Sequence, residues 1–436
     1  MLQVLHIAAH LGGGVGKALS GLVGQSNLFG SRVRHTIVVL EKPEKHQYCE
    51  QIRQSGGEVS VCPSAGELAD LVEAADVVQL EWWNHPATLR CLCQQPLPAM
   101  RLLVWCHVSG LHTPIIPPRL PGVSQRFLFT SPCSYQGLDR LGLPDGIRER
   151  LGVVFSSGGF DGLPRPSQYE TNPLAVGYIG SLNFAKLHPC YIDFLAAVRM
   201  PDFTVRLIGD ALNLEALQQR CEKAGKPGLL EFRGYTTDIA GELQSINTLA
   251  YLLNPSHYGT TENGLLEAMA VGIVPIVLDN PAEKCIVEDG RTGLVVTSPA
   301  EFADAVELLH QNPRQRNRLG RQAAESVRTR FTANRMESSL KAHYHEILRL
   351  EKMAIEFDTV FGAEPADWFL ASQEEPDWFL EERWSERHAI ARRHYALFET
   401  TKGSVFHFRR YFPDDSRLAR WAAQIDRLSR LPEAES

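Results

Sequence analysis

One polar segment of this sequence combines residue types that could hold a phosphorylated ligand. The segment Asn254–Gly272 follows a short apolar run and enters a helical stretch, Leu265–Val271, whose apolar residues surround one carboxylate. Because a carboxylate on an otherwise apolar helix needs a buried partner, Glu267 is a candidate ligand contact. Thr260 and Thr261 precede this helix, and as N-caps they would direct its positive end towards an anion. The alternative is that Glu267 is simply an exposed carboxylate.

Two further candidates follow apolar runs, at places where the carboxyl ends of parallel strands present side chains to ligands. His107 follows the run Leu102–Cys106, and Lys186 lies shortly after a run that ends at Gly180. A lysine at such a place can bind a phosphate group, and a histidine can contact a ligand through its ring nitrogens. Each also has a simpler interpretation, as a hydrogen-bonded histidine of the core or a loop, and as a solvated surface lysine.

A glycine-rich loop near the N-terminus is a candidate anion site. It is not a P-loop, because Leu11 stands where that motif needs its first glycine and Ala18 stands where it needs a serine or threonine. A glycine turn through Gly13 and Gly14 remains, and it opens a helix whose free N–H groups suit an anion. A purely structural tight turn is the alternative.

Two series of short apolar runs are the elements that must position these residues. The first series contains Gln3–Ala9, His35–Glu41, Glu58–Cys62, Asp76–Trp82, Arg101–Val108, Arg126–Thr130 and Gly152–Phe155, and the second contains Leu174–Ile179, Thr204–Ile208, Leu229–Arg233, Thr248–Leu253, Val274–Leu278 and Gly293–Val296. Helix-length segments lie between the runs. This alternation predicts an α/β fold with two parallel sheets, each covered by helices on both faces.

Glycines and prolines between residues 158 and 173 interrupt the alternation, which indicates a linker. We therefore predict two doubly wound domains, 1–160 and 161–350, with a ligand cleft between them. A mainly helical extension, 351–436, follows and holds four of the seven tryptophans. Its two short repeats, at 364–370 and 375–380, fit helical turns that dock Trp-Phe pairs on a domain surface. A peptide- or acceptor-binding role is the alternative.

Composition excludes several classes of protein. The 436 residues have a formal net charge of -7, which argues against non-specific nucleic-acid binding. No run of about 18 apolar residues suggests a membrane span. The N-terminus reads as a first strand, and nine scattered cysteines make no disulfide framework. We therefore expect a cytoplasmic protein, with contact at a membrane surface left open.

The segment Asn254–Gly272 and the stretch Gly177–Lys186 resemble the nucleotide-sugar segments of retaining GT-B glycosyltransferases of the family-4 type (glycosyl transferases group 1). The resemblance covers roughly residues 1–350 and is specific in 174–330. It implies a GT-B fold of two Rossmann-like domains, the first for the acceptor and the second for the donor. It also implies transfer of a sugar, with retention of configuration, from a UDP- or GDP-sugar to the hydroxyl of a glycan, a lipid-linked saccharide or a small molecule.

The same resemblance assigns roles to single residues. Glu267 would hold the ribose, Lys186 would stabilise the leaving diphosphate, and His107 would orient the sugar. The implied donor-binding set is Gly13, Gly14, Gly180, Ser181, Lys186, Gly209, Tyr235, Gly259, Thr260, Thr261, Glu262, Asn263 and Glu267, and the expected acceptor side is His10, Glu81, Trp82 and Trp83. No metal and no cofactor are expected, since the nucleotide sugar is a substrate.

Two positions depart from the family pattern. Gly259 replaces the first of two glutamates, and Ser181 replaces a basic residue. Glu262 lies three residues after Gly259, and we hypothesise that its carboxylate turns into the same pocket. The departures keep an alternative open, in which a degenerate GT-B protein binds nucleotide or glycan, or serves as a partner subunit, without turnover. An epimerase is a weaker alternative, because no convincing pair of acid and base carboxylates is visible.

Overall fold

A computed structural model describes residues 1–28, 30–166, 173–236, 238–381 and 397–429. The chain forms two compact units. The first contains Met1–Gly158 and Ala333–Ser436, and the second contains Gly159–Thr332. The chain therefore leaves the first unit near residue 158 and returns to it near residue 333.

The first unit is built on a seven-stranded parallel sheet with the strand order β3-β2-β1-β4-β5-β6-β7. Its strands are β1 (Leu2–Ala8), β2 (Val33–Val39), β3 (Glu58–Val61), β4 (Val77–Trp82), β5 (Leu102–Cys106), β6 (Arg126–Phe129) and β7 (Leu151–Val153). The helices between them are α1 (Gly14–Leu28), α2 (Gln47–Gln54), α3 (Ala65–Ala74), α4 (Pro86–Gln94), α5 (Leu120–Val123), a 3₁₀ helix (Pro132–Leu141) and α6 (Asp145–Arg148). Every residue of the central strands β4 and β5 is buried, as expected for a sheet covered on both faces.

The second unit is built on a six-stranded parallel sheet with the order β10-β9-β8-β11-β12-β13. Its strands are β8 (Val176–Ile179), β9 (Val205–Ile208), β10 (Leu230–Gly234), β11 (Thr248–Tyr251), β12 (Val274–Leu278) and β13 (Leu294–Val296). Its helices are α7 (Tyr191–Ala196), α8 (Leu214–Lys223), α9 (Ile239–Gln244), α10 (Asn263–Ala270), α11 (Pro281–Lys284), α12 (Pro299–Gln311) and α13 (Pro313–Arg330). The strands β8, β11 and β12 at its centre are buried throughout.

The remaining helices belong to the first unit. They are α14 (Ala333–Ile347), α15 (Asp358–Phe361), α16 (Pro365–Leu370), α17 (Asp377–Leu380), α18 (Val405–Tyr411) and α19 (Ser416–Ser429). Helix α14 packs on α1, where Leu340 and Tyr344 join the core of the first sheet. No helix within the described ranges has the length and apolar character needed to cross a bilayer.

The predicted α/β class and all thirteen predicted strands are confirmed, and the pairings between these described strands are parallel. The linker between the domains also falls close to the observed division at residues 158 and 159. The predicted end of the second domain at residue 350 is wrong, because α14 packs in the first unit. The extension is likewise part of the first unit and not a separate third body.

The extension docks through its aromatic residues, as its repeats predict. Trp368 and Phe369 of α16 and Trp378 and Phe379 of α17 are all buried. The ring centroids of Phe379 and Trp421 lie 5.4 Å apart, so the two turns and α19 share one core. The Trp-Phe pairs are therefore structural. Trp384 lies outside the described residues.

Two glycines of α1 provide a matched test of how closely this helix packs on its neighbours. A Cβ on Gly16 would lie 2.0 Å from the carbonyl oxygen of Leu11, whereas a Cβ on Gly24 would meet only the Ser55 hydroxyl at 3.7 Å. We expect Gly16→Ala to lower the free energy of unfolding by about 1–3 kcal/mol through overpacking. Gly24→Ala should raise it by up to about 1 kcal/mol through helix propensity. Urea unfolding of both variants measures the difference, and equal effects would contradict the close approach at Gly16.

Candidate active site

The predicted donor residues of the second unit gather at the carboxyl ends of β8, β9 and β11. Gly180 and Gly209 follow the first two of these strands and touch each other, since a Cβ on Gly209 would lie 1.9 Å from the carbonyl oxygen of Gly180. Gly209 also donates its N–H to the carbonyl of Gly234 at 3.0 Å. Glycine at 209 is thus required by the close approach of neighbouring strand ends.

Lys186 is held by a buried carboxylate. Its Nζ lies 2.8 Å from Oε2 of Glu262, and the hydroxyl of Tyr251 donates to the same oxygen at 2.7 Å. Burial opposes both charges, but the neighbouring groups together outweigh it, with the ion-pair partner as the largest favourable contribution, so the pKa of Lys186 is raised and the pKa of Glu262 is lowered. Both groups are therefore ionised near neutral pH. The lysine side chain remains 23% exposed, which leaves it accessible to an anion.

Gly259 makes room for that carboxylate. A Cβ at position 259 would lie 1.8 Å from Oε1 of Glu262 and 2.8 Å from Nδ1 of His257. Glu262 therefore places its carboxylate where a side chain of residue 259 would begin. The hypothesis that Glu262 turns towards the position of the missing glutamate agrees with this geometry, and contact with a donor sugar remains a prediction.

A second buried pair supports this loop. Nε2 of His257 lies 3.1 Å from Oε1 of Glu283, and Nδ1 of His257 accepts the N–H of Gly259 at 3.0 Å. Burial alone would lower the pKa of His257, but Glu283 raises it above its usual value. This pair was missed in the sequence, since a separation of 26 residues carries no local signal.

Ser181, at the position where the family has a basic residue, faces a carboxylate. Its hydroxyl donates to Oδ2 of Asp210 at 2.7 Å and accepts from the amide of Asn183 at 2.7 Å. Oδ1 of Asp210 also accepts the N–H of Leu182 at 3.3 Å. Ser181 is thus part of a hydrogen-bonded turn between two strand ends. Of the residues predicted to bind the nucleotide-sugar donor near this turn, Lys186 carries the positive charge.

The start of α10 differs from the prediction. The helix begins at Asn263 with Glu262 as its N-cap residue, which makes no side-chain capping bond. The prediction that Thr260 or Thr261 caps the helix is therefore wrong, although both side chains are buried beside it. Glu267 lies half-buried on α10, between Leu266 and Ala268. Its ribose contact stays a prediction.

Tyr235 follows β10 and is 59% exposed. Its donor contact stays a prediction. In the first unit, α1 begins at Gly14, directly after Gly13. Gly13 has a φ of +71° with open space around it. The predicted anion-binding turn therefore has the left-handed conformation that glycine favours. The structure places these glycines in one unit and Lys186 in the other.

On the expected acceptor side, Glu81 and Trp82 are fully buried. The Trp82 ring stacks on Phe361 at 5.3 Å, and Glu81 is enclosed by hydrogen bonds. Direct acceptor contact by these two residues is therefore wrong. Trp83 is half-buried, and its ring meets that of His10 edge-on at 5.4 Å. Acceptor contact by these two residues stays a prediction.

His107 lies directly after β5, as predicted, and its Nε2 is 2.7 Å from Oε2 of Glu81. The ring sits against Trp105 at 4.8 Å, and its backbone N–H donates to the carbonyl of Trp82 at 2.8 Å. The side chain is 7% exposed. The imidazole is therefore fixed in place by a carboxylate, an indole and a backbone bond.

The extension adds two residues that sequence reasoning missed, Lys402 and His407, beside His10 and His85 at the carboxyl ends of the strands of the first sheet. Nζ of Lys402 lies 2.7 Å from Nε2 of His10, and the ring of His407 meets that of His85 edge-on at 4.8 Å. Burial and the nearby lysine lower the pKa of His10 to about 4. These imidazoles are therefore neutral at pH 7. No spacing in the sequence could predict these contacts, because the paired residues lie far apart in the chain, 392 positions in the case of His10 and Lys402.

Three groups at these strand ends could in principle bind a metal, because ligand atoms of His10, Glu41 and His85 lie within 4.8 Å of one another. The contacts of the two histidines do not suit one. Nδ1 of His10 accepts the N–H of Gly12 at 3.0 Å while its Nε2 faces the Lys402 ammonium, and Nδ1 of His85 accepts the N–H of Ala87 at 3.2 Å. The Lys402 cation therefore opposes a metal ion at Nε2 of His10, and the neutral His85 ring keeps its proton on Nε2.

The two parallel sheets with their helices have the fold of the GT-B glycosyltransferases. Solved structures of this fold match the chain over about four fifths of its length. HepE from Anabaena, in complex with UDP and glucose, has a TM-score of 0.61 and 18% identity, and the match covers 79% of this chain and 100% of HepE. A glycosyltransferase from Rickettsia africae has a TM-score of 0.61 and 12% identity, with 80% and 99% covered. Sucrose-phosphate synthase from Thermosynechococcus elongatus has a TM-score of 0.57 and 15% identity, with 80% and 100% covered.

A sequence match to a known family lies in the second unit. Residues 173–312 match the model of the glycosyl transferases group 1 family. The match includes Lys186, Glu262 and Glu267. No curated protein matches the chain by sequence.

The contact between Gly259 and Glu262 can be tested by a double-mutant cycle. Gly259→Ala should clash with the Glu262 carboxylate and destabilise the protein, and Glu262→Ala should remove much of the clash. We expect the two effects to depart from additivity by about 1–3 kcal/mol in urea unfolding. Gly228→Ala is the matched control, since nothing lies within 4 Å of its Cβ position. Additive effects for Gly259→Ala would refute the contact.

Proposed function

We propose that this protein is a retaining glycosyltransferase that moves a sugar from a nucleoside diphosphate sugar to a hydroxyl acceptor. Lys186 would bind the diphosphate, Glu267 the ribose and Glu262 the donor sugar. His107 would orient the transferred sugar, and His10 and Trp83 would contact the acceptor. The acceptor would be a glycan, a lipid-linked saccharide or a small molecule. A lipid-linked acceptor would place the reaction at a membrane surface.

The ionised Lys186, within the region that matches the glycosyl transferases group 1 model, carries this proposal. The bond from sugar to leaving oxygen breaks with growth of negative charge on the diphosphate, and a fixed cation stabilises that charge. Lys186 is charged, partly exposed and held beside a Gly-terminated strand. HepE structures that hold UDP and UDP-glucose favour UDP-glucose as the first donor to test.

Specific observations also favour the second candidate, a protein that binds nucleotide without turnover. Lys186 already has a carboxylate partner, and Ser181 donates to Asp210 where the family has a second cation. A diphosphate would have to share Lys186 with Glu262. Slow turnover or none would follow if that lysine never reaches the phosphate.

Turnover of a panel of UDP- and GDP-sugars distinguishes the two candidates. We expect release of free sugar or transfer to an acceptor with one donor, and a product with the donor's anomeric configuration by proton NMR. Lys186→Met should lower kcat by about 100-fold or more, in line with the loss of one charge-stabilising group. Lys223→Met, at an exposed lysine of α8, is the control and should leave kcat unchanged. Nucleotide binding by calorimetry without turnover of any donor would support the second candidate.

We also propose that the reaction needs no metal ion, because Lys186 and the N-terminal end of α10 would compensate the diphosphate. We therefore expect chelation by EDTA to leave kcat unchanged. The measurement is the initial rate before and after dialysis against the chelator. A loss of rate that Mg²⁺ or Mn²⁺ restores would overturn this expectation.

A further inference from the structure

A buried polar network lies behind His107 in the first unit. Glu81 accepts three hydrogen bonds, from Nε2 of His107 at 2.7 Å, from Nδ1 of His6 at 3.1 Å and from the amide of Gln79 at 2.7 Å. Tyr344 donates to the oxygen of the same Gln79 amide at 2.5 Å, which fixes the amide nitrogen towards Glu81. Each partner of Glu81 is thus a donor.

Glu81 is ionised within this network. Burial opposes its charge, but hydrogen bonds from His107 and His6 outweigh that effect and lower its pKa. An ionised carboxylate only accepts hydrogen bonds. The Nε2 atom of His107 must therefore carry a proton, and the neutral ring has its lone pair on Nδ1.

The network continues away from His107 and prevents Glu81 from turning. Nε2 of His6 lies 2.9 Å from Nδ1 of His35, and Nε2 of His35 lies 3.0 Å from the hydroxyl of Ser26. Burial and the neighbouring His6 hold the pKa of His35 well below its usual value, so His35 is neutral. If Ser26 donates to His35, then His35 donates to His6 and His6 to Glu81, with each ring neutral. If Ser26 instead donates to Glu337 of α14 at 3.4 Å, the chain runs the other way and His6 is protonated on both nitrogens. His6 donates to Glu81 in both cases.

We propose that Glu81 is a positioning residue for His107, which it holds as the Nε2–H tautomer so that Nδ1 accepts a hydrogen bond from a hydroxyl of the bound ligand. The role of His107 at the ligand rests on the proposed function, whereas its tautomer does not. Among the described residues no hydrogen bond to Nδ1 is seen, and the ring is not fully buried. The charged and titratable groups that face this network are His6, His35, His107, Glu337 and Tyr344.

Glu81→Gln is the decisive variant. It keeps the size of the side chain but replaces an acceptor with an amide whose NH₂ group can donate to Nε2 of His107. The ring would then take its proton on Nδ1 and offer no acceptor to the ligand. We expect kcat of the full-length protein to fall by about 100-fold or more, as for a misplaced general acid–base group, with donor affinity changed less than threefold. Glu58→Gln, at an exposed glutamate of β3, is the matched control and should change neither.

The tautomer is read directly from long-range ¹H–¹⁵N correlation spectra of histidine-labelled protein at about pH 8, where an ordinary histidine is neutral. His107→Asn assigns the signals. We expect the Nε2–H pattern for His107 in the wild type and in Glu58→Gln, and the Nδ1–H pattern in Glu81→Gln. A wild-type His107 with its proton on Nδ1 would overturn the proposal even if Glu81→Gln does not fold.

Three further outcomes bear on the proposal. A switched tautomer with unchanged kcat would overturn the positioning role of Glu81. If the wild type turns over no donor at all, the proposed function fails, and the spectra still decide whether Glu81 sets the tautomer. Loss of turnover in Glu81→Gln with an unchanged tautomer would also count against the proposal, because the effect would then be structural.

Discussion

Each of the two sheets buries an ionised carboxylate beside the carboxyl ends of its central strands, Glu81 in the first unit and Glu262 in the second. An unpaired charge in such a place would cost several kcal/mol, so each carboxylate must fold together with its donors. Glu81 has two imidazoles and an amide, and Glu262 has an ammonium and a phenol. One donor in each set, His107 in the first and Lys186 in the second, is a residue on which the candidate chemistry depends. The same electrostatic requirement thus shapes both sites, each within its own unit.

The strand order of the first sheet brings the partners of Glu81 together. β1, β4 and β5 are neighbours, so His6, Glu81 and His107 lie side by side although the sequence separates them widely. Helix α14 completes the arrangement with Tyr344, which holds the Gln79 amide. This contact gives a polar reason, beside the apolar packing on α1, for the return of the chain to the first unit after residue 332.

Much of the fold could be predicted because parallel strands covered on both faces appear as Val-, Ile- and Leu-rich runs. Burial on both faces also conceals the polar network around Glu81 in the sequence. In a strand buried on both faces, the position of a polar residue does not tell whether it faces a ligand or the interior, so Glu81 was predicted to contact an acceptor. His6 lies inside such a run and gave no signal at all. The boundary at residue 350 was wrong because an amphipathic helix does not specify which sheet it covers.

The departure at Gly259 is better understood as a shift of a carboxylate than as its loss. Glu262 places an oxygen 1.8 Å from the position where a side chain of residue 259 would begin, so glutamate at 262 in this conformation requires glycine at 259. The shifted carboxylate lies closer to the backbone than the end of a glutamate at 259 would, and it pairs with Lys186. Burial alone would lower the pKa of Lys186, but the pairing with Glu262 raises it, so the lysine keeps its charge in the absence of ligand. A diphosphate that approaches Lys186 then competes with Glu262 for one ammonium group. If the ammonium group contacts both, Oε2 of Glu262 stays on Lys186 and Oε1 is the oxygen that the proposed function would direct to the sugar.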